Sequence, residues 1–112
     1  MSVRREVRLW VAQRATAMVL AVCVTVHLVT IIMAVRGGLT TAEILGRTRG
    51  SAVFAIFYGV FVLAAAIHAG IGIRNVASEW LGWRGLTAEL AVTAFAFLLM
   101  VLGLRGVWAV YA

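Results

Sequence analysis

Two histidines, His27 and His68, lie deep inside long apolar runs of this sequence. An ionisable side chain at membrane depth is costly, so each needs a chemical or structural reason to be there. Stepping by three and four along a helix, the His68 face reads Tyr58, Phe61, Ala65, His68, Gly72, Asn75, with Gly70 close by. Small residues around an imidazole leave a slot for a large flat cofactor. They equally let a second helix approach closely, with the imidazole bonded to a serine or a carbonyl. The His27 face reads Gln13, Thr16, Leu20, Cys23, His27, Thr30. That stripe is too polar for lipid and must face protein, cofactor or water; a histidine packed among threonines and a cysteine satisfies it as well as a ligand does.

Depth separates the two. His27 lies thirteen residues beyond Arg14, about 20 Å along a helix, and His68 six residues before Arg74, about 9 Å from the same side. One haem iron needs its axial nitrogens within about 4 Å of each other. An offset of about 10 Å therefore predicts that, if both ligate, they serve two haems. The chain has no third histidine, and Met1, Met18, Met33 and Met100 fall in no pairing register. A bis-histidine haem, one or two, would therefore borrow a ligand from a partner chain, and three helices are also too few to wrap a haem alone.

A third cluster follows His68: Arg74, Glu79, Trp80 and Arg84, with Gln13 and Arg14 on the same side. A guanidinium forks onto carboxylates, haem propionates included. An indole N–H beside a carboxylate and an arginine can hold a quinone carbonyl and supply protons. A solvated interface of mixed charge is the plainer reading, above all for Arg84. Glu89 either pairs with Arg84 at a poor spacing or faces headgroups, and has no assigned role.

The elements that must position these residues follow from composition. The 112 residues are 64% hydrophobic and 12% charged, with mean hydropathy +1.07 and no proline. A soluble domain carries about a quarter charged residues. The prediction is an all-α integral membrane protein, a single domain over 1–112, with three spans running up-down-up at about 15–34, 51–73 and 86–107. Unbroken apolar runs exclude the alternating strands of a membrane barrel. Trp10, Trp108 and Tyr111 suit the interfacial belts. All ten basic residues are arginines, giving a net charge of +6; placed at the ends of apolar runs they set orientation rather than bind nucleic acid. Six on the amino-terminal side against four on the other place the amino terminus in the cytoplasm. Arg14 lies too deep for a cleavable leader and no clear cleavage site follows, so the first run is expected to be retained. Cys23 is the one cysteine and can form no disulfide within the chain. A small multidrug-type transporter needs a fourth helix and an embedded carboxylate, whereas Glu6, Glu43, Glu79 and Glu89 sit at or outside the span edges. A structural or regulatory membrane peptide with packing histidines remains as the other class.

Gln13-Arg14-Ala15-Thr16-Ala17 opening the first run and His68-Ala69-Gly70-Ile71-Gly72 in the second resemble the hydrophobic membrane-anchor subunit of succinate dehydrogenase. That anchor reads R-A-T-A, then H-A-x-I-G, then an acid eleven residues after the histidine, then tyrosine; Glu79 holds the acid position here. His68-x-x-x-Gly72-Ile73-Arg74 is also similar to the sister cytochrome b subunit, H-x-x-x-G-I-R-H. The resemblance implies an anchor that pairs with that second three-helix chain in a bacterial inner membrane. It further implies that iron–sulfur and flavoprotein subunits dock on the cytoplasmic side and pass electrons from succinate to a quinone. It makes His68 an axial ligand of haem b, places Arg14 and Arg74 at a propionate or the quinone, and sets Glu79 and Trp80 at the edge of the quinone site. Trp80 stands where the family has tyrosine, and Asn75 where the sister pattern has its second histidine, which favours the hydrophobic anchor over its sister. His27 fits the two-haem members, where a first-helix histidine serves a distal haem. Some quinol:fumarate reductase anchors of the superfamily hold no haem.

Overall fold

Ser2 starts the first helix. Its hydroxyl accepts the Arg5 N–H at 3.3 Å, and Glu6 places negative charge in the first turn, where the helix dipole favours it. In a computed structural model, which describes residues 2–112, this helix is α1, Val3–Gly37. Met1, one of the four methionines, lies outside the described residues. With no glycine or proline between Val3 and Arg36, nothing stops the helix at the edge of the apolar run, so it extends well beyond 15–34. It ends where Gly37 and Gly38 allow a sharp exit; Gly38 has φ 112°.

A short helix, α2 (Thr41–Thr48), then occupies what hydropathy alone marks as a polar connection. Thr40 and Glu43 form a capping box: Thr40 Oγ1 accepts the Glu43 N–H at 3.2 Å, and Glu43 Oε2 accepts the Thr40 N–H at 2.9 Å. The Thr-x-x-Glu signature is there in the sequence, but it precedes only two turns of helix. Ser51 caps α3 (Ala52–Trp80) by accepting the Phe54 N–H at 3.2 Å. This helix passes the expected end at residue 73 because no breaker occurs before Gly82, whose φ of 64° turns the chain so that Trp83 N–H reaches the Ala77 carbonyl at 2.9 Å. Helix α4 spans Leu86–Tyr111.

Three of these helices, α1, α3 and α4, are long and apolar enough to cross a membrane. They run up-down-up, with α3 in the middle packed against both others. The assembly measures 50 × 23 × 23 Å, its long axis matching the 35 residues of α1. Water gives no hydrophobic drive inside a bilayer, so helices meet there through small residues that let backbones come close. The buried positions follow that rule: Ala64, Ala66, Gly70 and Ala77 of α3, Ala88 and Val92 of α4, and Cys23 of α1. Large apolar side chains such as Met18, Val53, Ile56 and Phe97 point outward.

At the end away from the amino terminus, α2 and its following turn close α4. Thr48 Oγ1 donates to the Val110 carbonyl at 2.7 Å, Gly50 N–H to Tyr111 at 2.8 Å, and Arg49 Nε to Ala112 at 2.9 Å. These are the carbonyls that a helix C-terminus leaves without partners. Arg47 donates to the Gly38 carbonyl at 2.7 Å, tying the end of α1 to the same cap.

Helices α3 and α4 come together tightly at Gly103. A Cβ added there would sit 2.9 Å from Val62 Cγ2 and 3.3 Å from Val62 Cβ, and a β-branched side chain cannot swing away. Gly103→Ala should cost about 1–3 kcal/mol through overpacking. Thermal unfolding of the detergent-solubilised protein should show a lowered Tm, and adding Val62→Ala should restore most of it. Gly103→Ala with an unchanged Tm would show that the two helices do not meet here.

Candidate functional site

The polar stripes of α1 and α3 face each other, antiparallel, in one register. Gln13 lies against Gly72, where an added Cβ would come 3.4 Å from Gln13 Nε2; Thr16 lies against His68, and His27 against Tyr58. Gln13, Thr16 and His27, which the sequence could not place against lipid, are thereby turned onto the neighbouring helix.

His68 is half-buried, and its Nδ1 lies 3.2 Å from Thr16 Oγ1. Its other ring nitrogen, Nε2, has no hydrogen-bond partner among the described residues. The ring lines a cleft of about 710 Å³ whose other polar walls are Glu6, Gln13, Arg14, Asn75 and Glu79. That volume is in the range of sites for cofactors and small molecules. Arg14 stacks over Trp10, 5.0 Å from the ring centroid, and both line the cleft. Gln13 Oε1 is buried without a hydrogen-bond partner among the described residues.

His27 is placed differently. Its Nδ1 is 2.8 Å from the Tyr58 hydroxyl, and its ring meets Tyr58 and Phe61 edge-on at 5.5 and 5.6 Å. It lines neither this cleft nor the one described next. Ten residues of α3 separate Tyr58 from His68, so the two histidines differ in depth by about 15 Å. This exceeds the 10 Å read from the flanking arginines, because those residues do not mark equal depths on the two helices.

The charged end is organised around Arg74. Its Nε donates to Glu89 Oε1 at 2.9 Å and a terminal nitrogen to Glu6 Oε1 at 3.0 Å, while Arg5 reaches Glu89 Oε2 at 2.8 Å. The sequence offered Glu89 only the neighbouring Arg84. In the structure the turn through Gly82 and Gly85 lays the start of α4 beside Arg74, and Arg84 instead faces the Ser78 carbonyl at 3.4 Å. Glu6, Arg5 and Glu89 had no sequence signal as a unit, since they come from two different helices. A second cleft of about 620 Å³ opens beside this network, lined by Arg74, Ser78, Trp83 and Arg84, and it shares Glu6, Asn75 and Glu79 with the first. Glu79 has no ion-pair partner among the described residues. Trp80 is 81% exposed and lines neither cleft; the indole on the second cleft is Trp83, whose Nε1 donates to Thr87 Oγ1 at 3.0 Å.

The model of the succinate dehydrogenase/fumarate reductase transmembrane subunit family matches residues 1–108. The chain belongs to this family. No curated protein and no solved structure matches it. As a member of the family it is a multi-pass membrane subunit of a succinate dehydrogenase/fumarate reductase complex, and the transporter and peptide readings are not favoured. The haem b that the resemblance implies can be tested against the residues of the first cleft. An imidazole with one nitrogen bonded and the other open, with an arginine on the same wall, makes a set of groups that fits it.

The two ion pairs of Glu89 differ in environment. The Arg74 side chain is 14% exposed and Arg5 48%. Exposed pairs contribute about 0.2–1 kcal/mol, and networked neighbours couple by about 0.5–3 kcal/mol. A double-mutant cycle on thermal stability, with Glu89→Gln, Arg74→Gln and Arg5→Gln, should give the larger coupling for Arg74–Glu89. Equal couplings would mean that the inner pair is as solvated as the outer one.

Proposed function

We propose that the chain is the hydrophobic anchor of a succinate:quinone oxidoreductase, ligating haem b through His68 and helping to form the quinone site. The observation that carries this reading is the His68 imidazole on the cleft wall, held at Nδ1 by Thr16 with Nε2 open. A second histidine for the haem would come from a second anchor chain, the sister cytochrome b subunit, because His27 lies about 15 Å away in depth. The haem supplies a one-electron relay when bound. Arg14, on the same wall, offers its guanidinium to a propionate or to the quinone. Arg74 lines the second cleft while holding Glu6 and Glu89, and is assigned to the quinone side. Glu79 lies on the rim of both clefts and can hand a proton to a quinone oxygen. Exposed Trp80 is assigned to the edge of the quinone site that a partner chain completes.

The iron–sulfur and flavoprotein subunits dock at the end carrying Arg5, Glu6, Arg74 and Glu79. The arginine count supports a cytoplasmic location for that end in a bacterial inner membrane. Succinate oxidation takes place on the flavoprotein, and no residue of this chain takes part in it. For His27 the family offers a distal haem, but the Tyr58 hydrogen bond accounts for its polarity without a metal. We therefore read it as a packing histidine.

Two experiments on the purified complex test these assignments. In the dithionite-reduced spectrum, His68→Ala should lose the b-type bands, whereas His27→Ala should keep the wild-type haem-to-protein ratio. Bands that persist in His68→Ala would sink the ligand assignment, and haem lost in His27→Ala would install the distal haem instead. Glu79→Gln and Trp80→Leu should each lower quinone reduction about 10-fold or more, while succinate oxidation with a soluble dye continues. Equal loss of both activities would place these residues in assembly rather than at the quinone.

A further inference from the structure

We propose that Thr16 is a positioning residue: it fixes the tautomer and the orientation of the His68 ring so that Nε2 is the nitrogen presented to iron. The proposal rests on the reading of His68 as a haem ligand and adds a role for α1 in preparing it.

The Thr16 hydroxyl has one hydrogen and three neighbours able to accept it. Oγ1 lies 2.8 Å from the Ala12 carbonyl, 3.1 Å from the Gln13 carbonyl and 3.2 Å from His68 Nδ1. The two carbonyls belong to the preceding turn of its own helix, the usual acceptors for a threonine in this setting. They are also the closer pair. Whichever of them takes the hydrogen, none remains for the histidine, and Oγ1 meets Nδ1 with lone pairs only. The contact is then a hydrogen bond only when Nδ1 carries the proton. In a neutral imidazole this leaves the lone pair on Nε2, the atom with no partner among the described residues. With that hydrogen on a carbonyl, the opposite tautomer would set two lone pairs against each other in a part-buried seam.

Two consequences follow for a metal. A ring already in the ligating tautomer and held by its far nitrogen loses little freedom on coordination. A hydrogen bond accepted from Nδ1–H also pushes electron density toward Nε2 and makes it a stronger donor. A stronger donor favours ferric over ferrous iron, so losing the bond should raise the haem midpoint potential. Because Thr16 is on α1 and His68 on α3, the α1–α3 register itself sets the ligand.

The test uses the whole complex carrying Thr16→Val, which keeps the shape and removes the hydroxyl, with Thr16→Ser restoring it and His68→Ala as reference. Haem release to an excess of a haem-scavenging apoglobin and the haem midpoint potential are measured beside the reduced spectrum. Thr16→Val should release haem about 10–100-fold faster than wild type and show a raised potential, while Thr16→Ser stays near wild type on both. Should Thr16→Val fail to assemble, Thr16→Ala serves in its place. The proposal is overturned if the hydroxyl-free variant matches wild type in release and potential while His68→Ala has lost its bands. A wild-type complex without b-type bands, or His68→Ala retaining them, would instead bring down the haem reading and this inference with it.

Discussion

A polar stripe on a membrane helix can be hidden from lipid only by turning it onto another polar stripe, and α1 and α3 do this for each other. Every unsatisfied polar group in hydrocarbon costs several kcal/mol, on the order of the whole stability of a small fold. That penalty selects one rotation of each helix and one register between them. Thr16 meets His68 and His27 meets Tyr58 because a slip by one turn would part both pairs at once. The remainder of the fold accommodates this choice. Helix α4 packs on the far side of α3 through Gly70, Gly103 and small buried side chains, and it leaves the α1–α3 seam uncovered on the side of the cleft.

The two ends of the bundle are closed by different chemistry. At the far end, backbone capping closes it: Thr48, Arg49 and Gly50 take up the last carbonyls of α4. At the near end, Arg74 joins Glu6 of α1 to Glu89 of α4, so one guanidinium holds all three helices. A salt bridge at a membrane surface, partly shielded on both sides, falls between the weak exposed pair and the costly buried one. Its position beside both clefts means that the same charges that hold the helix ends also set the potential in which a quinone or propionate would sit.

How much of this could be read from the sequence depends on whether an interaction is local. Apolar run lengths are local, and they placed the three crossings within α1, α3 and α4. Helical periodicity is local too, and it assembled the His27 and His68 faces correctly as stripes. What periodicity cannot give is which stripe faces which, and so the Thr16–His68 and His27–Tyr58 pairs were invisible. Glu89 shows the same limit: its spacing to Arg84 was the only measure available, while its partners Arg5 and Arg74 arrive through a chain reversal built on Gly82 and Gly85. Helix ends were misjudged for another reason. Hydropathy marks where lipid stops, not where a helix stops, and without proline the helices run on into water.

The seam is also uneven along its length, and that unevenness locates the chemistry. At the level of His27 it is closed: His27 Nδ1 and the Tyr58 hydroxyl bond each other inside a cluster with Phe54, Phe57 and Phe61, and neither cleft reaches the ring. At the level of His68 it is open: the ring lines a cleft together with Gln13, Glu6 and Glu79. Both imidazoles have one ring nitrogen without a hydrogen-bond partner among the described residues, so it is the cleft rather than the open nitrogen that sets His68 apart. The proposed haem would use that cleft, at the end of the bundle where the catalytic subunits are proposed to dock.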